Sequence, residues 1–321
     1  MTNLSQWPAL VLTAGLATRL QPLSQVRAKA ALPVAGEALV VRILRSLRAA
    51  GITRVVLNLH HRADTITHEV GDGSALDVSV RYSWETEVLG SAGGPARALP
   101  LLEADRFLIV NGDTLADVDL AALAAQHVDT NALVTMAVVD ADPRYNAILA
   151  DESGVVTGFK KSTLGTVGTV GTLGTLGTFH FIGVQAVNAA AFAGVSPSAR
   201  SETIHGMYPS LIASRPGSLR ILRTEAEFFD IGTPRDYLET SLKLAAREGR
   251  GPDRGHGCAI APDAKLTDTI LWNNVSLGAG ASLTRCVAAD GVTVPAGAKH
   301  VDCSLVMRDN ALVAEPFQNC N

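Results

Sequence analysis

The sequence predicts an α/β protein with an open, mostly parallel sheet covered by helices, followed by a short parallel β-helix. Three observations carry this. Short apolar runs alternate with helix-spaced stretches up to about residue 247, the pattern of a sheet wound on both faces. The stretch 248–257 (EGRGPDRGHG) is a linker by composition. Beyond it, aliphatic residues recur every six positions in 258–321, which suggests stacked coils.

The elements follow in order. Ala9–Leu12 reads as a buried strand that breaks at Gly15 into a loop of small residues. The stretch VVRILRSLRAA has helical spacing, and RVVLNL (Arg54–Leu59) is a strand. Val78–Trp84, Arg106–Asp113, Leu133–Val139, Val155–Phe159 and Phe179–Gln185 read as further strands, and Pro234–Glu248 as a closing helix. In the tail, Leu271, Leu277 and Leu283 form one six-residue phase, with Val275, Ala281 and Val287 in a second. That period, with small residues between, predicts a left-handed parallel β-helix of roughly two to three coils. So short a tail would lean on another surface, either the preceding domain or a second copy in a homo-oligomer.

The chain has 321 residues, 47% hydrophobic and 18% charged, enough for a large core. Its net charge of −4 and the lack of a basic patch argue against nucleic acid as a partner. The opening MTNLSQWPAL has no charged segment followed by a long apolar one. No run of membrane-spanning length follows, so neither leader nor membrane is expected and the location is read as cytoplasmic. The four cysteines, Cys258, Cys286, Cys303 and Cys320, fit neither zinc nor C-x-x-C spacing. They are read as reduced, mostly buried thiols.

A strand that ends at Gly15, with Thr18, Arg19 and then Lys29 close behind, is a way to present backbone N–H groups and fixed cations to phosphate. The wording is more specific. Gly15, Thr18, Arg19, Leu20, Pro22, Leu23, Lys29, Pro33, Val34 and Gly36 match the G-x-G-T-R-L-x-P-L-T…P-K…P-V-x-G signature of the sugar-nucleotide pyrophosphorylases. Ala17 stands at the second glycine, Ala28 at the proline before the lysine, and Ser24 at the threonine. The chain therefore resembles a sugar-1-phosphate nucleotidyltransferase. The LGSAGG wording leans toward the mannose 1-phosphate guanylyltransferase, heptose and N-acetylmuramate 1-phosphate members.

The resemblance implies a Rossmann-like nucleotidyltransferase domain over 1–247. It also implies a Mg²⁺-dependent reaction between a nucleoside triphosphate and a sugar 1-phosphate, releasing pyrophosphate. Such chemistry needs charge neutralisation and positioning, with one or two protein carboxylates on the metal. Asp113, in NGD at a strand end, and Asp230, in FFDIGTP, match the family's metal ligands. Taken singly, a turn aspartate and a helix-entry aspartate explain them as well. Arg19 and Lys29 are the implied catalytic cations. Gly15, Thr18, Glu87, Gly90 and Gly93 are implied to hold the nucleotide, with Glu87 packing the loop. Lys161, Tyr145, Asn146 and Gly183 are implied on the sugar side. His60 and His61 are read as capping or surface residues.

The segment Thr163–Thr178, TLGTVGTVGTLGTLGT, is a three-residue repeat matching neither helix nor strand. It reads as an expanded surface loop in preference to a lid, since none of its side chains can do chemistry. Ala17 and Ala28 keep open a second reading, a catalytically weak sensor or regulatory subunit that binds nucleotide sugar. The base and the sugar stay open at this level.

Overall fold

The computed structural model describes residues 3–143, 145–160 and 177–317. The chain forms two compact units. One holds the chain through Gly15, Ile43–His60 and Gly71–Phe228; the other holds Leu16–Arg42, His61–Val70 and the chain from Phe229 onward. Lys161 and most of the Gly-Thr repeat lie outside the described residues; Gly177 and Thr178 open a strand.

In the first unit the described residues build one mixed sheet of nine strands. Strand β1 (Ala9–Leu12) runs parallel to β2 (Arg54–Leu59), which pairs in parallel with β3 (Ser79–Trp84). On its other side β1 is parallel to β4 (Arg106–Asn111). The rest of the sheet is β5 (Val134–Asp140), β6 (Ala147–Ala150), β7 (Val156–Lys160), β8 (Gly177–Asn188) and β9 (Leu219–Arg223). Strand β8 is antiparallel to β4, β5 and β6, and β9 is parallel to β5. Ala9, Leu10 and Val11 are wholly buried, as expected of a central strand covered on both faces.

Besides the single turn Leu23–Val26, the α-helices among the described residues are α1 (Leu39–Ala49), α2 (Ala63–Val70), α3 (Gly90–Leu102), α4 (Leu120–Asp129), α5 (Tyr208–Ser214) and α6 (Pro234–Arg247). Asp119 caps α4 by accepting from Ala122 N at 2.9 Å. Thr233 caps α6, with Pro234 at the first helical position. Leu10, Phe107, Ile109, Met136 and Val138 meet Phe192 and Tyr208 in the core of the first unit.

In the second unit the tail forms three ladders of short parallel strands, the pattern of a β-helix. They are β10 (Ala259–Ile260), β11 (Lys265–Thr267), β12 (Ile270–Leu271), β13 (Ser276–Leu277), β14 (Ser282–Thr284), β15 (Val287–Ala288), β16 (Thr293–Val294), β17 (Lys299–Val301) and β18 (Cys303–Arg308). Strand β19 (Ala311–Pro316) folds back antiparallel on β18. Ala259, Ser276 and Thr293 stack in register, so a coil is one residue shorter than three hexapeptides. Leu271, Leu277 and Leu283 lie on three different ladders and are all buried, as are Val275, Ala281 and Val287. Cys286 and Cys303 stack one coil apart with sulfurs 3.6 Å from each other, as free thiols.

The stretch 248–257 is tied down despite its composition. Hydrogen bonds from Arg42 and Arg250 hold the Glu248 carboxyl down at about 2. Asp253 is buried and accepts from the Ser241 hydroxyl at 3.1 Å.

One buried histidine makes a pH prediction. His127 is 1% exposed, shares a hydrogen bond with Thr135 Oγ1 and sits edge-on to Trp7. Burial, aided by Arg106, lowers its pKa to about 4. The unfolded chain therefore takes up this proton near pH 6.5 while the folded chain resists it. Stability should be intact above pH 6.5 and fall progressively toward pH 4, by up to about 3 kcal/mol from this group. His127→Phe should flatten that part of the urea-unfolding pH profile; an unchanged slope would remove His127 as its source.

Candidate active site

In the first unit, site residues stand at the carboxyl ends of β1 to β4. Gly112 N donates to Leu12 O at 2.9 Å, and a methyl at Gly112 would stand 2.5 Å from that same oxygen. The glycine of NGD thus lets β1 and β4 close up, and the next residue, Asp113, is delivered half-buried at the end of β4. Thr114 Oγ1 donates to its carboxylate at 3.2 Å. Gly183 packs on the same turn. It has φ +82 at a bulge in β8, and a methyl there would lie 3.1 Å from Asn111 Cβ and 3.3 Å from Thr114 Cβ.

The loop after β3 corrects one expectation. Glu87 is exposed, and the carboxylate that packs the loop is Glu85, 5% exposed. Glu85 accepts from Asn58 Nδ2 at 2.7 Å and from Leu89 N at 2.8 Å. Asn58 accepts from Thr13 N at 2.7 Å, which ties the ends of β1 and β2 to this loop. His60 Nδ1 bonds Glu85 O at 3.0 Å, and His61 Nε2 bonds Ser24 O at 2.8 Å, so each histidine engages a carbonyl.

Gly90 and Gly93 have a packing reason of their own. A methyl at either would come within 2.6 Å of the carbonyl of Ser201 or Ala199. The first donors of α3 are taken as well: Ser91 N meets Glu202, while Ala92 N and Gly93 N meet Ser201 O. Burial opposes the Glu202 charge, but hydrogen bonds from Ser91 and Arg200 outweigh it and hold the carboxyl below its usual range. The N–H groups of Ser91, Ala92 and Gly93 are thereby satisfied within the protein.

Tyr145 stacks on His180, with centroids 4.1 Å apart, and meets Phe228 edge-on. Asn146 and Lys160 line a cavity of about 450 Å³ with Thr157, Ile204, His205 and Ile212. A π-helical turn at Thr203–Met207 supplies one wall of it. Lys160 forms a basic pair with Lys161 in the sequence GFKKS, and it is the member of that pair among the described residues.

In the second unit, Ala17 takes the left-handed conformation, φ 47 and ψ 46, and starts a 3₁₀ turn over Thr18–Leu20. Leu20 is wholly buried, whereas Thr18 and Arg19 are exposed. A methyl on Gly232 would lie 3.5 Å from both terminal nitrogens of Arg19, so the DIGTP loop and Arg19 are neighbours. Asp230 is the first residue of DIGTP, ends the short strand Phe228–Asp230 and is half-buried. Lys29 opens a second 3₁₀ turn, Lys29–Ala31. Gly15 is exposed, and a methyl there would meet no atom within 4 Å, so its value is room on the solvent side. Among the described residues no three His, Cys, Asp or Glu side chains cluster as a metal site, and no helix is long and apolar enough to cross a membrane.

Residues 8–247 match the nucleotidyl transferase family, and the chain belongs to that family. Among its relatives is the mannose-1-phosphate guanylyltransferase of Mycobacterium tuberculosis, 32% identical over 313 residues, which covers 91% of this chain and 82% of that protein. N-acetylmuramate alpha-1-phosphate uridylyltransferase of Neisseria meningitidis is 44% identical over 115 residues, 36% of this chain and 50% of the relative. The crystal structure of HddC from Yersinia pseudotuberculosis shares the fold. It has a TM-score of 0.61 at 23% identity and covers 74% of this chain and 99% of its own.

Two stability predictions follow from the geometry. A left-handed L-residue costs roughly 1–2 kcal/mol, so Ala17→Gly should raise unfolding stability by about 1 kcal/mol after glycine's larger unfolded-state entropy is counted. A lower midpoint in guanidinium would contradict the conformation at Ala17. Glu85→Ala leaves the Asn58 amide and Leu89 N–H buried without their acceptor and should cost roughly 3 kcal/mol. Glu87→Ala should cost less than about 0.5 kcal/mol; equal losses would reverse the assignment of the packing residue.

Proposed function

We propose that this chain transfers a nucleotidyl group from a nucleoside triphosphate to a sugar 1-phosphate, giving a nucleoside-diphosphate sugar and pyrophosphate. The observation that carries the reading is the ordered signature from Gly15 to Gly36 in a chain 32% identical over 313 residues to a mannose-1-phosphate guanylyltransferase. That relative's name makes GTP and mannose 1-phosphate the first pair to try. Kinship to a uridylyltransferase over 115 residues keeps UTP and other sugar 1-phosphates in the panel.

An oxygen of the sugar phosphate attacks the α-phosphorus, the bond to the bridging oxygen breaks, and pyrophosphate leaves. No covalent enzyme intermediate is required. Arg19 and Lys29 bind phosphate oxygens and stabilise the charge that builds during transfer. Gly15 and Thr18 lie along the triphosphate, with Glu87 in the loop before α3 and Gly90 and Gly93 in the first turn of α3 toward the base. Tyr145, Asn146, Lys161 and Gly183 serve the sugar side.

Asp113 and Asp230 are oxygen donors, half-buried next to strands, and such a sparse carboxylate set suits Mg²⁺, which keeps most of its shell for water and phosphate. They would hold that ion, and when bound it supplies charge neutralisation on the phosphates.

A panel of triphosphates against sugar 1-phosphates, read as pyrophosphate release, tests the reading. One pair should turn over, with dependence on Mg²⁺. Asp113→Asn and Asp230→Asn should each keep the fold and lower turnover by roughly two or more orders of magnitude. Near-normal rates at saturating Mg²⁺ would remove the ligand assignment. Tight nucleotide-sugar binding with no turnover in the whole panel would instead establish a sensor.

A further inference from the structure

We propose that Asp290 and Trp272, in the C-terminal coils, are positioning residues for Lys29, so that the tail contributes to turnover as well as to folding. The proposal rests on the transfer reading above, in which Lys29 meets phosphate.

All the groups concerned lie in the second unit. Arg27 precedes Lys29 by two residues, and its guanidinium side chain is only 11% exposed. It makes a two-pronged bond to the Asp290 carboxylate, Nε to Oδ2 at 2.7 Å and Nη2 to Oδ1 at 2.8 Å. The same guanidinium lies 5.3 Å from the centre of the Trp272 ring. Asp290 is itself fixed, because Oδ1 accepts from Asn273 N at 3.0 Å. Trp272 is 1% exposed, and its Nε1 donates to the Tyr237 hydroxyl at 2.9 Å. That hydroxyl donates to Pro33 O at 2.6 Å. One indole therefore touches one end of the segment Arg27–Pro33 directly and the other through Tyr237, and Lys29 lies between.

The arrangement matters because lysine is a point charge on a flexible stem, so the backbone that carries it contributes to its placement. The fork of Arg27 fixes orientation as well as distance, which a single-point ion pair would not do. Its effect on stability alone would be modest, since Asp290 is 31% exposed. Its effect on rate is larger in principle, because a misplacement of about 1 Å can cost roughly a hundredfold.

The experiment uses the full chain carrying Asp290→Asn, Arg27→Lys, both together, Trp272→Phe, and Lys299→Ala as an exposed tail control. Steady-state kcat and KM for both substrates are measured well below each variant's unfolding temperature. Backbone amide exchange is followed over residues 28–33. Asp290→Asn and Arg27→Lys should each lower kcat roughly tenfold or more with a smaller change in KM. The double variant should be no worse than the singles, because both remove one brace. Exchange over 28–33 should accelerate in these variants and in Trp272→Phe, and Lys299→Ala should match the parent. Folded variants with parental kcat, additive losses, or unchanged exchange would each overturn the positioning role while leaving the transfer reading in place. A parent chain inactive with every substrate pair would overturn the transfer reading and this role with it.

Discussion

A buried carboxylate governs the strand-end region of the first unit. The Glu85 charge would cost several kcal/mol in the interior if left unmatched. It is matched by two donors, Asn58 Nδ2 and Leu89 N. Each answer constrains a neighbour. Asn58 can serve Glu85 with its amide because its oxygen is occupied by Thr13 N, which draws the end of β1 against β2. Gly94 has to be glycine, since a methyl there would stand 2.7 Å from Glu85 Oε1 and 2.9 Å from Asn58 Nδ2. The roots of the loops are rigid as a result, while Gly15 and Glu87 at their tips remain exposed. That division, stiff base and open tip, is what a site built on strand ends needs.

The second unit solves the same problem for a turn. The backbone of Pro33–Gly36 is satisfied almost wholly by side chains. Tyr237 donates to Pro33 O, while Arg42 donates to Val34 O and Ala35 O. The Ser241 hydroxyl accepts from Ala35 N. Asp253 accepts from Gly36 N–H and from the Ser241 hydroxyl, and burial still pushes its carboxyl above the usual range. Gly36 has φ +78, and a methyl there would run into the Arg250 guanidinium. The P-V-x-G part of the signature thus has a reason independent of any ligand: it is the anchor by which residues 16–42 are fastened to α6 and to the first coil.

What the sequence disclosed tracks how local each signal was. Arg54–Leu59 and Ala9–Leu12 are apolar runs whose burial shows directly in composition, and both strands fall where read. The six-residue phases of the tail are also local, and every aliphatic in them is buried. The lost residue per coil was not visible, because it sits in the turns between ladders, where spacing carries no apolar mark. Strand β6 is missed because it has only four residues, and β9 because its partner in the sheet, β5, lies far back along the chain. Glu85 and Glu87 are equivalent on paper; only the approach of Asn58 distinguishes them. Arg27 and Asp290 stand 263 positions apart, and no periodicity connects them.

The two departures from the signature have opposite physical characters. Ala28 has φ −56 and ψ 147, a backbone that proline would also adopt. Its N–H donates to Thr65 Oγ1 at 3.0 Å, and that hydroxyl donates in turn to Arg62 O. A hydrogen bond to Thr65 in the first turn of α2 thus does what a ring would otherwise do, and the rigidity before Lys29 is kept. Ala17 has no such compensation: the left-handed conformation is retained with a methyl present. Strain of that kind persists where the surroundings over-determine the backbone. Here they do, since Leu20 N bonds Ala17 O at 3.0 Å and Leu20 is wholly buried beneath the turn. A loop relieved of its task would be expected to relax to an unstrained path. Holding the strained one keeps Thr18 and Arg19 on the exposed side of a short 3₁₀ turn, with the Arg19 guanidinium over Gly232.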